Sequence, residues 1–160
     1  MNVLIVFDTV FGNTEKIARA MGEALQSSAF VKVINVKDFS AEQLSGTDLL
    51  LFGSPTRQFQ ATPVIMEALK SLPENTLAGI KSAAFDTRVN TDEIKSGLFR
   101  FIVKNAGFAA KKIYGVMQKK GAVMLVEPAG FLVTGDQGKD MIPGEPERAG
   151  QWARDVLIKA

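Results

Sequence analysis

Residues 3–14, VLIVFDTVFGNT, decide the fold of this chain. The run 3–7 is apolar throughout and has no alternating polar face, which is typical of a strand that helices cover on both sides. Across residues 17–25 the apolar positions recur at helical spacing, so we expect a helix that begins near Asn13 or Thr14. The stretch therefore predicts a central strand, a short loop and a helix.

The loop between this strand and this helix is suited to hold a phosphate. A helix N-terminus presents free backbone N–H groups and the positive end of the helix dipole. Thr9, Asn13 and Thr14 add polar side chains, and Gly12 permits a positive φ or a close backbone approach. The spacing fits neither the GxxxxGKS/T phosphate loop nor the GxGxxG dinucleotide turn. The alternative is an ordinary turn in which these residues only cap the helix.

Two further strands are predicted to end in polar loops. The apolar run 49–53 leads into residues 54–61, after which Thr62 and Pro63 are placed as the N-cap and first residue of a helix. The strand 81–86 leads into the polar stretch 86–92. If these strands are parallel to the first one, all three loops lie at the same edge of the sheet.

The remaining elements complete an α/β pattern. They are a second strand at 30–36, a short helix from 40, helical pieces at 94–105 and 108–119, a fifth strand at 123–126 that 130–133 continues after a break at Pro128, and a last helix from 144. This alternation predicts three layers: a five-stranded parallel sheet of order 2-1-3-4-5, with helices on both faces and right-handed crossovers. Ligands bind such a sheet between strands 1 and 3, where the loops at Thr9, Ser54 and Asp86 are expected to meet.

The composition of the chain limits the classes of function that it can have. A chain of 160 residues with 46% hydrophobic residues suits one domain, residues 1–160. No apolar run reaches membrane-spanning length and no signal-like segment precedes the first strand, so we expect a cytoplasmic protein without a membrane span. Cysteine and histidine are absent from the sequence, which disfavours thiol chemistry and transition-metal sites, so redox chemistry requires an added cofactor. The net charge of +2 does not indicate nucleic-acid binding.

The loop Thr9-Val10-Phe11-Gly12-Asn13-Thr14 resembles the T/S-x-T-G-x-T phosphate loop of flavodoxins, with Phe11 in place of the middle hydroxyl residue. The whole chain is similar to a short-chain flavodoxin. The segment 53–56, Gly-Ser-Pro-Thr, also resembles the flavodoxin-like domain that is fused to diiron oxygen reductases. The resemblance implies a flavodoxin-like fold, non-covalently bound FMN and electron transfer between redox partner proteins.

The resemblance also implies which residues contact the FMN. The first loop would hold the phosphate, the second would follow the ribityl chain and one ring face, and the third would approach the pyrimidine end. The implied cofactor-binding residues are Thr9, Val10, Phe11, Gly12, Asn13, Thr14, Ser54, Pro55, Thr56, Arg57, Phe59, Asp86, Thr87 and Arg88.

The sequence departs from the family at the flavin ring. Flavodoxins commonly sandwich the isoalloxazine between Trp and Tyr, whereas Trp152 and Tyr114 fall on predicted helices. Phe59 and Phe11 are the remaining aromatic candidates, and Phe59 is equally suited to the core. The family is also usually acidic, so its customary partners do not transfer to this chain.

Arg57 and Arg88 fall in predicted flavin-contacting loops. Positive charge beside the flavin favours its anionic reduced form and raises the reduction potential. The alternative is that each arginine pairs with a carboxylate such as Asp86 or Asp92.

Three functions follow from the sequence. An electron carrier without a substrate of its own is favoured. An FMN-dependent NAD(P)H:quinone-type reductase would need an open pocket over the flavin, which the glycine-interrupted stretch 97–108 would border. A non-redox module that binds another phosphate ligand or a protein is the third possibility, because the usual Trp and Tyr are missing from the loops.

Overall fold

The computed structural model describes residues 1–90, 96–98 and 107–160. The strands are β1 (Asn2–Phe7), β2 (Phe30–Asn35), β3 (Leu49–Pro55), β4 (Lys81–Val89), β5 (Val123–Met124), β6 (Ala129–Thr134) and β7 (Asp140–Met141). The helices are α1 (Asn13–Leu25), α2 (Pro63–Ser71), α3 (Ala109–Lys119) and α4 (Glu145–Lys159), with 3₁₀ turns at Val36–Asp38, Ala41–Leu44 and Asp136–Gly138. The predicted helix 94–105 lies almost entirely outside the described residues.

The strands form one sheet of order β2-β1-β3-β4-β6-β7, in which β5 also pairs with β4. Strands β1 to β6 pair in parallel, and β7 runs antiparallel to its neighbour β6. The three-layer α/β prediction is confirmed, but the described part of the sheet has seven strands instead of five. The predicted break at Pro128 separates β5 and β6, which share the fifth position along β4.

The short strand β7 was not predicted. It pairs with β6 at the edge of the sheet through Val133–Met141 and Thr134–Asp140. The chain reaches it through Gly135, whose φ is 77°, and the 3₁₀ turn that follows. A two-residue strand is too short to show an alternating pattern in the sequence. This strand is therefore recognised only in the folded chain, where the turn brings it beside β6.

Helices cover both faces of the sheet, which explains the uninterrupted apolar run in β1. Leu4 and Val6 are buried with the inward faces of α2 and α3. Val3, Ile5 and Phe7 are buried with α1 and α4 on the opposite face. Both faces of β1 are therefore shielded from solvent, so the sequence of this strand does not alternate between polar and apolar residues.

The aromatic residues of the two late helices belong to these cores. Trp152 on α4 lies 6.3 Å from Phe85 and 6.0 Å from Phe131 between ring centroids. Tyr114 on α3 packs against the core on the other face. Within residues 1–90, 96–98 and 107–160, no helix has the length and apolar character that crossing a membrane requires.

The first turn of α4 is tied to β6 by an acidic residue. Glu145 accepts a hydrogen bond from the Leu132 backbone N–H and forms an ion pair with Arg148 at 2.6 Å. Arg148 also donates to the Gly130 carbonyl at 2.6 Å and lies 4.6 Å above the Phe131 ring. Burial acts to raise the pKa of Glu145, but the bonds from Arg148 and Leu132 and the charge of Arg148 outweigh it, so the pKa is lowered.

This lowered pKa predicts a pH-dependent contribution to stability. The folded protein holds the Glu145 proton less tightly than the unfolded chain, so stability from this carboxylate is present above pH 4.5 and is lost as the pH falls through the lowered pKa. We expect the difference in unfolding free energy between the wild type and Glu145→Gln to be constant near neutral pH and to shrink below pH 4.5. Urea unfolding at a series of pH values measures it, and a difference that grew on acidification would contradict the assignment.

Candidate functional site

A small cavity lies at the carboxyl ends of β1, β3 and β4. Its volume is about 30 Å³, and its lining combines the loop after β1, the end of β3 with the loop that follows, the end of β4 and the turn after β6. The lining residues are Thr9, Val10, Phe11, Asn13, Thr14, Pro55, Thr56, Arg57, Thr87, Val89, Val133, Gln137 and Gly138. The three predicted loops therefore meet at the edge of the sheet where the topology places a ligand site.

Helix α1 begins at this cavity. Gly12 is its N-cap with φ 83°, a conformation that L side chains rarely adopt. The first turn of a helix leaves backbone N–H groups without partners inside the helix. Thr9 lines the same cavity, and its hydroxyl oxygen is buried without a hydrogen-bond partner in the described structure. A buried hydroxyl without a partner can donate a hydrogen bond to an acceptor on a bound ligand.

The side chain of Asn13 makes hydrogen bonds inside the protein. Its side-chain N–H₂ donates to the carbonyls of Gly138 at 3.0 Å and Lys139 at 2.9 Å. These two bonds use the donors of the amide and leave its buried oxygen, an acceptor, without a partner. The Asn13 side chain therefore fastens the turn after β6 to the start of α1, and it has no donor left for an anion.

Hydroxyl groups connect the other walls of the cavity. Thr14 and Thr87 share a buried hydrogen bond of 2.8 Å that joins the first turn of α1 to β4. The Thr56 hydroxyl accepts the Ala109 N–H at 3.0 Å and so holds the start of α3. Ser54 is not among the lining residues, and its hydroxyl accepts the Thr62 N–H at 3.0 Å. Ser54 thus stabilises the start of α2.

Asp86 and Arg88 form an ion pair beside the cavity and do not line it. The buried Asp86 carboxylate accepts two bonds from Arg88, at 2.5 and 2.8 Å, and one from the Ala110 N–H at 2.8 Å. Burial raises the pKa of Asp86, while the charge and bonds of Arg88, the Ala110 N–H and the Thr56 hydroxyl act against that increase. The pairing alternative for Arg88 therefore holds.

The Arg88 guanidinium occupies a defined slot. It lies 3.8 Å from the centroid of the Phe108 ring, in a cation–π contact. A Cβ at Gly130 would lie 2.3 Å from the guanidinium, so a larger residue there would force the Arg88 side chain to shift. Among the residues that line the cavity, Arg57 is the charged one.

The similarity to known proteins agrees with this architecture. A family model described as a flavodoxin domain matches residues 4–121. The chain belongs to the flavodoxin family. The matched part includes β1 to β4, the loop 9–14 and the loop after β3, and the predicted resemblance is confirmed. Flavodoxins bind FMN and transfer electrons to partner proteins, which confirms the cofactor prediction at the level of the family.

Solved structures share the flavodoxin fold with this chain. A flavodoxin from the domain Archaea is 19% identical with a TM-score of 0.73, and the match covers 99% of this chain and 98% of that one. Oxidised flavodoxin 2 from Bacillus cereus is 20% identical with a TM-score of 0.72, and both chains are covered completely. The flavodiiron protein from Giardia intestinalis is 17% identical with a TM-score of 0.72, and the match covers 99% of this chain but 36% of that one. At these identities the likeness is one of fold.

The flavodoxin phosphate loop has an exposed aromatic residue in this chain. Phe11 replaces the middle hydroxyl residue of the motif, is 39% exposed and lies 5.3 Å from the Arg57 guanidinium and 5.8 Å from the Lys139 ammonium. Phe59 has φ 63° and is half-buried outside the cavity lining. Of the two aromatic candidates, Phe11 is the one that borders the cavity.

Four lining residues were not predicted. Val89 lies within the third predicted loop, 86–92, but was not among the predicted site residues, and Val133, Gln137 and Gly138 come from the end of β6 and its turn. The polar, glycine-containing stretch 134–138 after the fifth predicted strand was the available signal, because it lies at the same edge of the sheet. The pocket border predicted at 97–108 falls mainly outside the described residues.

Proposed function

We propose that this flavodoxin is an electron carrier that binds FMN at the cavity and shuttles electrons between redox partner proteins. The observation that supports it best is that Thr9 lines the cavity and that its buried hydroxyl has no hydrogen-bond partner among the described residues. A phosphate supplies the acceptor that this hydroxyl and the free N–H groups of the helix start require. Gly12, with open space where a Cβ would stand, lets the loop approach such a ligand closely.

The protein's share of the chemistry is binding and electrostatics. When bound, FMN supplies the one- and two-electron chemistry of its ring system. Thr9 and the first turn of α1 would hold the phosphate, and Pro55, Thr56 and Thr87 would border the rest of the molecule. Arg57 places an unneutralised positive charge at the cavity, because it makes no ion pair within the described residues. That charge favours the phosphate and stabilises a reduced, anionic flavin.

The first test compares FMN with riboflavin, which lacks the phosphate. Flavin fluorescence is followed as purified protein freed of flavin is titrated in, together with the visible absorption spectrum. We expect saturable quenching, a shifted flavin band and FMN affinity about 100-fold above that of riboflavin, since two charge-assisted hydrogen bonds contribute about 1.5 kcal/mol or more each.

Each other outcome selects an alternative. Equal affinity for FMN and riboflavin would argue against the loop 9–14 as the phosphate site. Absence of flavin binding would leave the non-redox module. With FMN bound, steady oxidation of NADPH in the presence of a quinone would favour the reductase over the carrier.

A further inference from the structure

Side chains from three loops meet on the solvent side of the cavity. Arg57, from the loop after β3, donates to the Gln137 backbone carbonyl at 3.1 Å and to its side-chain carbonyl at 3.3 Å. The same guanidinium lies 5.3 Å from the centroid of the Phe11 ring. These contacts join residues 80 positions apart and cross from one wall of the cavity to another. We refer to Phe11, Arg57 and Gln137 as the strap.

The strap is held in position by the turn that carries Gln137. Gln137 has φ 56°, and the Asn13 amide binds the carbonyls of the next two residues from inside the protein. Lys139 is paired with Asp136 at 3.1 Å within the same turn. The turn is therefore anchored to α1, and the reach of Arg57 to Gln137 follows from that anchor.

The cavity beneath the strap is much smaller than a nucleotide. A volume of about 30 Å³ holds about one water molecule. A flavin mononucleotide placed against Thr9 and Thr56 would occupy the space between the loop after β3 and the turn after β6, which the Arg57–Gln137 hydrogen bonds now span. Entry therefore requires that this contact separates.

We infer that the strap is a gate for FMN, and that Gln137 controls the rate at which FMN enters the site. The inference rests on the proposed function. The two strap hydrogen bonds keep the gate closed in most molecules, and the observed association rate is reduced to the fraction of molecules that are open. Removing one of two such bonds raises that fraction, and the association rate constant, by about threefold to tenfold.

The variants separate the gate from the charge of Arg57. Gln137→Asn tolerates the positive φ but is one methylene shorter, so its side-chain carbonyl no longer reaches Arg57. Arg57→Lys keeps the charge and loses the paired donors of the guanidinium, whereas Arg57→Met removes both. Gln118→Asn, on the exposed face of α3, is the matched control for the glutamine substitution.

Stopped-flow quenching of FMN by excess flavin-free protein measures the association rate constant. We expect Gln137→Asn and Arg57→Lys to accelerate association about threefold to tenfold, with the dissociation rate unchanged in Gln137→Asn and with Gln118→Asn equal to the wild type in both rates. Hydrogen exchange of residues 135–139 in the flavin-free protein gives an independent readout, and it should quicken in the two strap variants.

Three results would overturn the gate. Association at the wild-type rate in both Gln137→Asn and Arg57→Lys would show that the strap does not limit entry. Slower association in Arg57→Met, with no change in the other two, would mean that Arg57 acts by charge alone. Unaltered hydrogen exchange at 135–139 would show that the contact does not order the turn. If neither the wild type nor any variant quenches FMN, the proposed function itself fails, and the gate fails with it.

Discussion

Replacing Asp86 by alanine is expected to lower the free energy of unfolding by about 3–5 kcal/mol. The substitution removes the acceptor of two Arg88 bonds and of the Ala110 N–H at the start of α3. Arg88 stays in its slot against Phe108 with a side chain only 19% exposed, so its charge is left largely without water or a partner. Urea or thermal unfolding followed by circular dichroism measures the loss.

Two further variants define the cause. Asp86→Asn keeps the shape and one acceptor but removes the charge, so we expect a smaller loss of about 1–3 kcal/mol. Asp136→Ala removes the carboxylate of an exposed ion pair with Lys139 and should cost less than about 1 kcal/mol. If Asp86→Ala unfolds like Asp136→Ala, the buried carboxylate does not hold β4 and α3 together.

The Asp86 network also bears on the cofactor site. Thr56 lines the cavity and accepts the Ala109 N–H, one residue before the N–H that Asp86 binds. A loosened α3 would release Thr56 from one side. We therefore expect the alanine variant, where it is folded, to bind FMN more weakly as well, although Asp86 does not line the cavity.

The second large effect is expected at Thr9. Thr9→Val keeps the volume of the side chain and removes the buried hydroxyl, which has no hydrogen-bond partner in the part of the chain that the structure describes. We expect FMN affinity to fall about 10- to 100-fold, because a hydrogen bond to a charged group contributes about 1.5–3 kcal/mol. Stability of the flavin-free protein should stay the same or rise, since an unsatisfied polar group is replaced by a methyl group.

Opposite signs for binding and stability make this test specific. Thr9→Ser restores the hydroxyl and should recover FMN affinity to within a few-fold of the wild type. Riboflavin affinity should be the same in all three proteins. A Thr9→Val protein that binds FMN normally would show that the phosphate lies elsewhere, and a destabilised one would show that the hydroxyl has a structural partner after all.

Much of the fold and of the first loop was predictable because the signals are local. A run of five apolar residues, followed by Asp8 and Thr9, indicates a central strand. The helical spacing of apolar residues after Gly12 indicates where the helix begins. The motif at residues 9–14 and the parallel topology together place the cavity. These inferences need only residues that are close in the sequence or that follow the periodicity of an element.

The roles of particular side chains were decided by tertiary structure. The sequence places Asn13 in a phosphate loop, but its amide binds carbonyls more than 120 positions away. Arg57 forms hydrogen bonds with Gln137. The sequence left two roles open for Arg88, flavin contact or ion pairing, and the structure shows the ion pair with Asp86, beside Phe108 and Gly130.

The physical reason is that secondary structure depends on local sequence patterns, whereas the contacts of a polar side chain depend on residues that are distant in the sequence. Apolar periodicity, glycine and N-cap residues act within one element, so the sequence by itself determined β1 to β6, the described α-helices and the edge of the sheet at which the cavity lies. A polar side chain binds whichever donor or acceptor the folded chain brings within about 3 Å. Only the tertiary structure, by placing distant loops together, decided which residues line the cavity and which pair beside it.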